Sequence, residues 1–123
     1  MAIGTIELKD TKVIYRIEQE QLFRAEDLQV FKGDLEAALE KSPRLVVDFS
    51  KLLFMSSWAI GALVSIYKKA KDQEGAVAMF GLSDTLVEVF RTTRLDHLFS
   101  IRDSESDALA VLGRPRKTGS MPK

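Results

Sequence analysis

The amino-acid sequence predicts a single α/β domain, a mostly parallel sheet of five strands with about four helices, in the order β-β-α-β-α-β-α-β-α. Three observations carry this. Short apolar runs such as Leu45-Val46-Val47 and Val77 to Phe80 have the character of strands buried on both faces. Between and around them lie segments whose apolar residues return every three or four positions, the stripe of an amphipathic helix. The length of 123 residues, with 46% hydrophobic and 29% charged positions, is that of one ordinary soluble domain.

The elements follow in order. Residues 5–8 and 12–18 are expected to be strands joined by a turn at Asp10-Thr11. In the second, Val13, Tyr15 and Ile17 face one way and Lys12, Ile14, Arg16 and Glu18 the other. From Ala25 to Lys41 the period changes: Leu28, Phe31, Leu35, Ala38 and Leu39 form a helical stripe, with Gly33 inside it. Ser42-Pro43 ends that helix, because a residue before proline avoids the helical region. A central strand follows at Leu45 to Phe49. A second helix runs from Ser57 to Asp72, with Lys68, Lys69 and Lys71 near its end, where cations suit the helix dipole. Gly75 separates it from the strand Val77 to Phe80. Ser83-Asp84 then has the residues of a helix start, and Leu86, Val89, Phe90 and Thr93 supply the apolar face. An edge strand at Phe99 to Ile101 and a last helix capped by Ser104 complete the domain, 1–112. Residues 113–123, rich in Arg, Lys, Gly and Pro, are expected to be a flexible basic tail.

Composition excludes several function classes. Lys plus Arg and Asp plus Glu are balanced at 18 each, so no global field draws nucleic acid or anionic lipid. There is no cysteine, which removes disulfides and thiolate chemistry. Met1 to Asp10 lacks the basic-then-apolar order of a signal peptide, and the apolar stretch Trp58 to Ile66 is too short to span a bilayer. A cytoplasmic protein without membrane insertion is expected. His97 is the single histidine, which rules out a histidine dyad within one chain. No GxxxxGK[ST], GxGxxG or Gly-x-Ser-x-Gly segment is present, so neither a phosphate loop nor a hydrolase elbow is indicated, and no cofactor is implied.

The informative segment is Val46 to Leu63. A strand runs out into a short loop, and Ser56-Ser57 stand where the next helix begins. Either hydroxyl as N-cap would satisfy one of the unpaired amides of the first turn. The same amides and the helix dipole favour a phosphate. For an arbitrary serine pair, capping alone is the commoner explanation.

Phe54-Met55-Ser56-Ser57-Trp58-Ala59-Ile60-Gly61 resembles the signature turn of STAS domains and of the bacterial anti-sigma factor antagonists among them. Ser83 to Ile101 is similar to that family's third helix and final strand, and Ser104 to Leu112 to its terminal helix. The resemblance covers residues 5 to 112. It implies a STAS fold and a regulatory binding module, not an enzyme. It implies as partner an anti-sigma factor serine kinase, which phosphorylates one serine and thereby loses its hold. Ser57 occupies the phosphorylated position, with Ser56 the second choice. The chain departs from the pattern in three places. Ser56 replaces the family's aspartate, Trp58-Ala59 replace a serine and a glycine, and Glu20-Gln21-Leu22-Phe23 replaces an acidic turn.

Ser56, Ser57, Trp58, Ala59, Leu22 and Phe23 are the expected partner contacts. Trp58 is expected to pack on Phe54 or the last helix. Exposed near Leu22-Phe23, it would instead make an apolar contact surface, for a partner or for a homodimer. The rival function is a STAS scaffold or subunit in a stress-signalling or transport assembly, which needs no phosphate.

Overall fold

The computed structural model describes residues 3–22 and 24–112. Phe23 and the tail 113–123 lie outside the described residues. Strand β1 (Gly4–Lys9) and strand β2 (Lys12–Ile17) form an antiparallel hairpin. Asp10 turns the chain at φ 58, a left-handed conformation that aspartate tolerates. Then come β3 (Gln21–Leu22), α1 (Ala25–Lys41), β4 (Arg44–Asp48), β5 (Phe54–Met55) and α2 (Ser57–Asp72). They are followed by β6 (Ala76–Phe80), α3 (Asp84–Thr92), a 3-10 turn at Leu95–His97, β7 (Ser100–Arg102) and α4 (Glu105–Leu112).

The main sheet has five strands in the order β1-β2-β4-β6-β7, and every pairing after the hairpin is parallel. Parallel neighbours need crossovers, and α1, α2 and α3 supply them. Tyr15, Val47, Met79 and Ile101 lie side by side across this sheet. The sequence expectation of a mostly parallel five-stranded sheet with four helices matches this arrangement. The structure adds a separate two-stranded parallel pair, β3 with β5.

The two faces of the sheet are covered unequally. Val13, Tyr15, Ile17, Leu45, Val47 and Met79 pack under α1, α2 and α3, meeting Phe31, Leu35, Leu63, Ile66, Leu86 and Phe90. On the other face Ile14, Val46, Ala78 and Phe80 meet Ala108 of α4, with Leu109 and Leu112 alongside. The alternation in β2 groups Ile14 with Lys12 and Arg16. Ile14 is instead fully buried, because α4 covers that face.

Both ends of α4 are tied to the sheet. At its start, Arg16 Nη1 donates to Asp48 Oδ2 at 3.1 Å and to Glu105 Oε1 at 2.9 Å. Arg16 Nη2 donates to Glu7 at 2.7 Å, and Lys9 Nζ reaches Glu105 Oε2 at 3.2 Å. At its end, the buried Arg44 donates from Nη2 to the Leu112 carbonyl at 2.8 Å. Ser104 caps this helix, accepting from the Asp107 amide at 3.2 Å.

Candidate functional site

The site lies where β4 gives way to α2, at the carboxyl end of the central strand. The loop is held by the chain's own backbone. Phe49 N–H donates to the Phe80 carbonyl at 2.9 Å, and Ser50 N–H to Asp48 Oδ1 at 2.8 Å. Phe49 and Leu52 are buried beneath it as apolar pegs. Gly81 comes so close that a Cβ there would sit 2.6 Å from Ser50 Oγ, and its φ of +80 suits only glycine well.

The short β3–β5 pair then aims α2. Leu53 and Phe54 N–H donate to the Glu20 carbonyl at 2.8 and 3.1 Å, and Ser56 N–H donates to the Leu22 carbonyl at 2.9 Å. Leu22 itself is fully buried. Its part is to hold Ser56 through the backbone, and its side chain offers no contact surface.

Of the two serine hydroxyls, Ser56 is the cap: its Oγ accepts from Ala59 N–H at 3.3 Å. Ser57 is the first residue of α2 and is exposed, and its hydroxyl makes no hydrogen bond among the described residues. The first turn of α2 carries no acidic side chain, whereas α1, α3 and α4 carry Glu26 and Asp27, Asp84, and Glu105 and Asp107 there. The positive end of the α2 dipole is thus uncompensated by its own first turn. Beside the loop, Glu18 pairs with the exposed Lys51 and holds its ammonium above the ordinary lysine range.

Trp58 is 74% exposed, so it stands largely open to solvent and is not packed away as expected from the sequence. Ala59 takes the core side of the turn: it is fully buried, its methyl turned away from any partner. The expected side-chain contacts by Ala59 and Leu22 are corrected on that ground. Leu53 and Phe54 are also more than half exposed, at 58% and 52%. Sequence reasoning missed an open groove of about 680 Å³ between α1 and α2, with Trp58 on its rim. Its walls come from two separate helices, and among the lining residues only Leu28 belongs to a stripe that the periodicity picks out.

The remaining candidates stay apart from this loop. His97 is exposed in the 3-10 turn, its Nε2 standing 4.0 Å from Asp96 Oδ1. Glu36 and Lys69 join α1 to α2 at 2.6 Å, and the ammonium draws the Glu36 carboxyl below its ordinary range. Among the described residues no group of acidic or histidine side chains is placed to hold a metal ion. No helix of the described residues is long and apolar enough to cross a membrane.

Comparison with known proteins points one way. An anti-sigma-B factor antagonist of Listeria monocytogenes is 29% identical over 63 residues, 51% of this chain and 55% of that protein. The chain thus spans about half the length of the curated relatives it matches. An anti-sigma-factor antagonist (STAS) domain protein of Planctomyces limnophilus superposes with a TM-score of 0.80 at 22% identity, covering 92% of this chain and 99% of that one. The phosphorylated form of the Bacillus cell fate determinant SpoIIAA superposes with a TM-score of 0.67 at 17% identity, covering 86% and 96%. At these identities the two structures show a shared fold. The family model for the STAS domain matches residues 5–108, nearly all of the described chain, and the chain therefore belongs to the STAS domain family.

Proposed function

We propose that this protein is an anti-sigma factor antagonist, a cytoplasmic binding module that captures an anti-sigma factor serine kinase and is released when Ser57 is phosphorylated. The observation that carries this is the state of Ser57. It is an exposed hydroxyl on the first turn of α2, with no hydrogen bond holding it among the described residues and no acid in that turn compensating the dipole behind it. A phosphate there brings about −1.5 to −2 charges. The helix terminus stabilises them in the free protein, while a partner packed on Trp58 and Ser57 meets an added charge that it must desolvate. Ser56 is the weaker candidate because its oxygen already caps the helix. The likeness to curated anti-sigma-B factor antagonists supports the same role.

The test joins mass mapping to capture. Protein isolated from its own cells with phosphatases inhibited should carry phosphate on Ser57. Ser57→Ala should retain a kinase that Ser57→Asp loses. A Ser57→Asp variant that captures the kinase as well as wild type would refute the switch.

One observation favours a second reading. Trp58 at 74% exposure would serve a constitutive STAS scaffold as a fixed apolar contact. That reading expects capture of an assembly without a kinase, indifferent to Ser57→Asp.

A further inference from the structure

Trp58 and the groove beside it form one feature. Trp58, Gly61, Ala62 and Ser65 are spaced to share a face of α2, and they make one wall of the groove. Leu28 and Lys32 of α1 stand on the other side. A protruding indole therefore sits next to a depression whose α2 wall is built of small residues. Gly61 sharpens the point. Among the described residues a Cβ there would meet nothing within 4 Å, so no packing among them requires glycine at an interior helix position that glycine weakens.

We propose that this surface is a two-fold homodimer interface in which Trp58 of each copy seats in the α1–α2 groove of the other. A two-fold interface uses the same patch twice, so the patch must present both a knob and its hole. This one does. The charges along the α1 wall are self-complementary as well. Glu26 and Lys32 both line the groove, and they lie about 9 Å apart along the helix axis. A two-fold axis across the groove sets Glu26 against the partner's Lys32 and Lys32 against the partner's Glu26. Within the chain Glu26 Oε2 accepts from Arg24 at 2.6 Å, an exposed pair that leaves the acid on the rim. The formal net charge of +0 means that two copies meet without mutual repulsion. Two seated indoles bury roughly 300–500 Å² between them, a fraction of the roughly 1,600 Å² of a standard interface. The α1 and α2 ridges must supply the rest, and the association is weak, reversible and concentration-dependent.

Trp58 is the only tryptophan, so intrinsic tryptophan fluorescence reports on this residue alone. Purified protein should sediment as a reversible monomer–dimer mixture, with emission moving to shorter wavelength as the dimer fraction rises. Trp58→Ala and Gly61→Gln should each raise the dissociation constant by about tenfold or more while circular dichroism stays unchanged. Glu26→Lys and Lys32→Glu should each weaken the dimer, and the double exchange should restore it. A monomer at every concentration up to about 1 mM, where even weak specific pairs associate, overturns the proposal. So does a dimer indifferent to both Trp58→Ala and Gly61→Gln. The measurement uses this protein alone, so its outcome is independent of the kinase reading.

Discussion

Ser56 Oγ accepts the Ala59 amide proton at 3.3 Å, while the hydroxyl of neighbouring Ser57 is left without a partner among the described residues. The two serines are therefore divided between structure and signal. Ser56→Ala should lower unfolding free energy by about 1 kcal/mol, the usual worth of a helix cap. Ser57→Ala should change it by less than about 0.5 kcal/mol. Urea denaturation of both variants checks this, and the reverse ranking would move the cap to Ser57.

Three glycines should respond in opposite directions. Among the described residues a Cβ added at Gly33 of α1 or Gly61 of α2 would meet nothing within 4 Å, so alanine at either should stabilise the fold by about 0.5–1 kcal/mol. Gly81 at φ +80 presses on Ser50, and Gly81→Ala should cost about 1–2 kcal/mol or more. Thermal unfolding of the three variants measures the contrast.

Stability should fall with acid through Glu105. Hydrogen bonding to Arg16 leads the causes that hold its carboxyl below the ordinary glutamate range, with Lys9 contributing further. A carboxyl depressed in the folded state binds protons more readily when unfolded. Its stabilisation is complete above the unfolded value and is lost as pH falls through the folded one. Glu105→Gln should therefore lower stability at neutral pH and flatten its decline between neutral and acid. Denaturation midpoints across that range test the sign.

Tyr15 should resist ionisation. Burial, and then its hydrogen bond to Asp34 at 2.7 Å, push its hydroxyl well above the usual phenol range. Asp34 Oδ2 also accepts from Ile3 N–H at 3.0 Å, so the carboxylate ties the chain start to α1 and β2. Tyr15→Phe should cost about 1.5–3 kcal/mol, the worth of a hydrogen bond to a charged group. In the folded wild type, absorbance titration should show Tyr15 ionising only on alkaline unfolding.

Much of this fold is legible in the sequence because its signals are long. The stripe Leu28, Phe31, Leu35, Ala38, Leu39 spans a whole helix, and the structure places α1 at Ala25–Lys41 and α2 at Ser57–Asp72, where the period puts them. Strands β3 and β5 are two residues each, too short for any alternation to register, and they exist because the Glu20 and Leu22 carbonyls meet the amides of the α2 loop. Ile14 misleads for a related reason. Its neighbours Lys12 and Arg16 give that side of β2 a polar pattern, and only α4, at the far end of the domain, buries it. At the site, the serines and their helix start are visible in one short segment. The exposure of Trp58 and the burial of Ala59 and Leu22 depend on how β3 and β5 orient α2, which no local pattern records.

The strand order β1-β2-β4-β6-β7 repeats the order of synthesis. No later strand is inserted between two earlier ones, so a chain growing from the ribosome can assemble by accretion. The hairpin forms from adjacent residues, and each helix-and-strand pair then docks on the open flank of what already exists. No completed ladder has to be pried apart to admit a newcomer, and at each stage the segment that emerges next is added on the side away from β1.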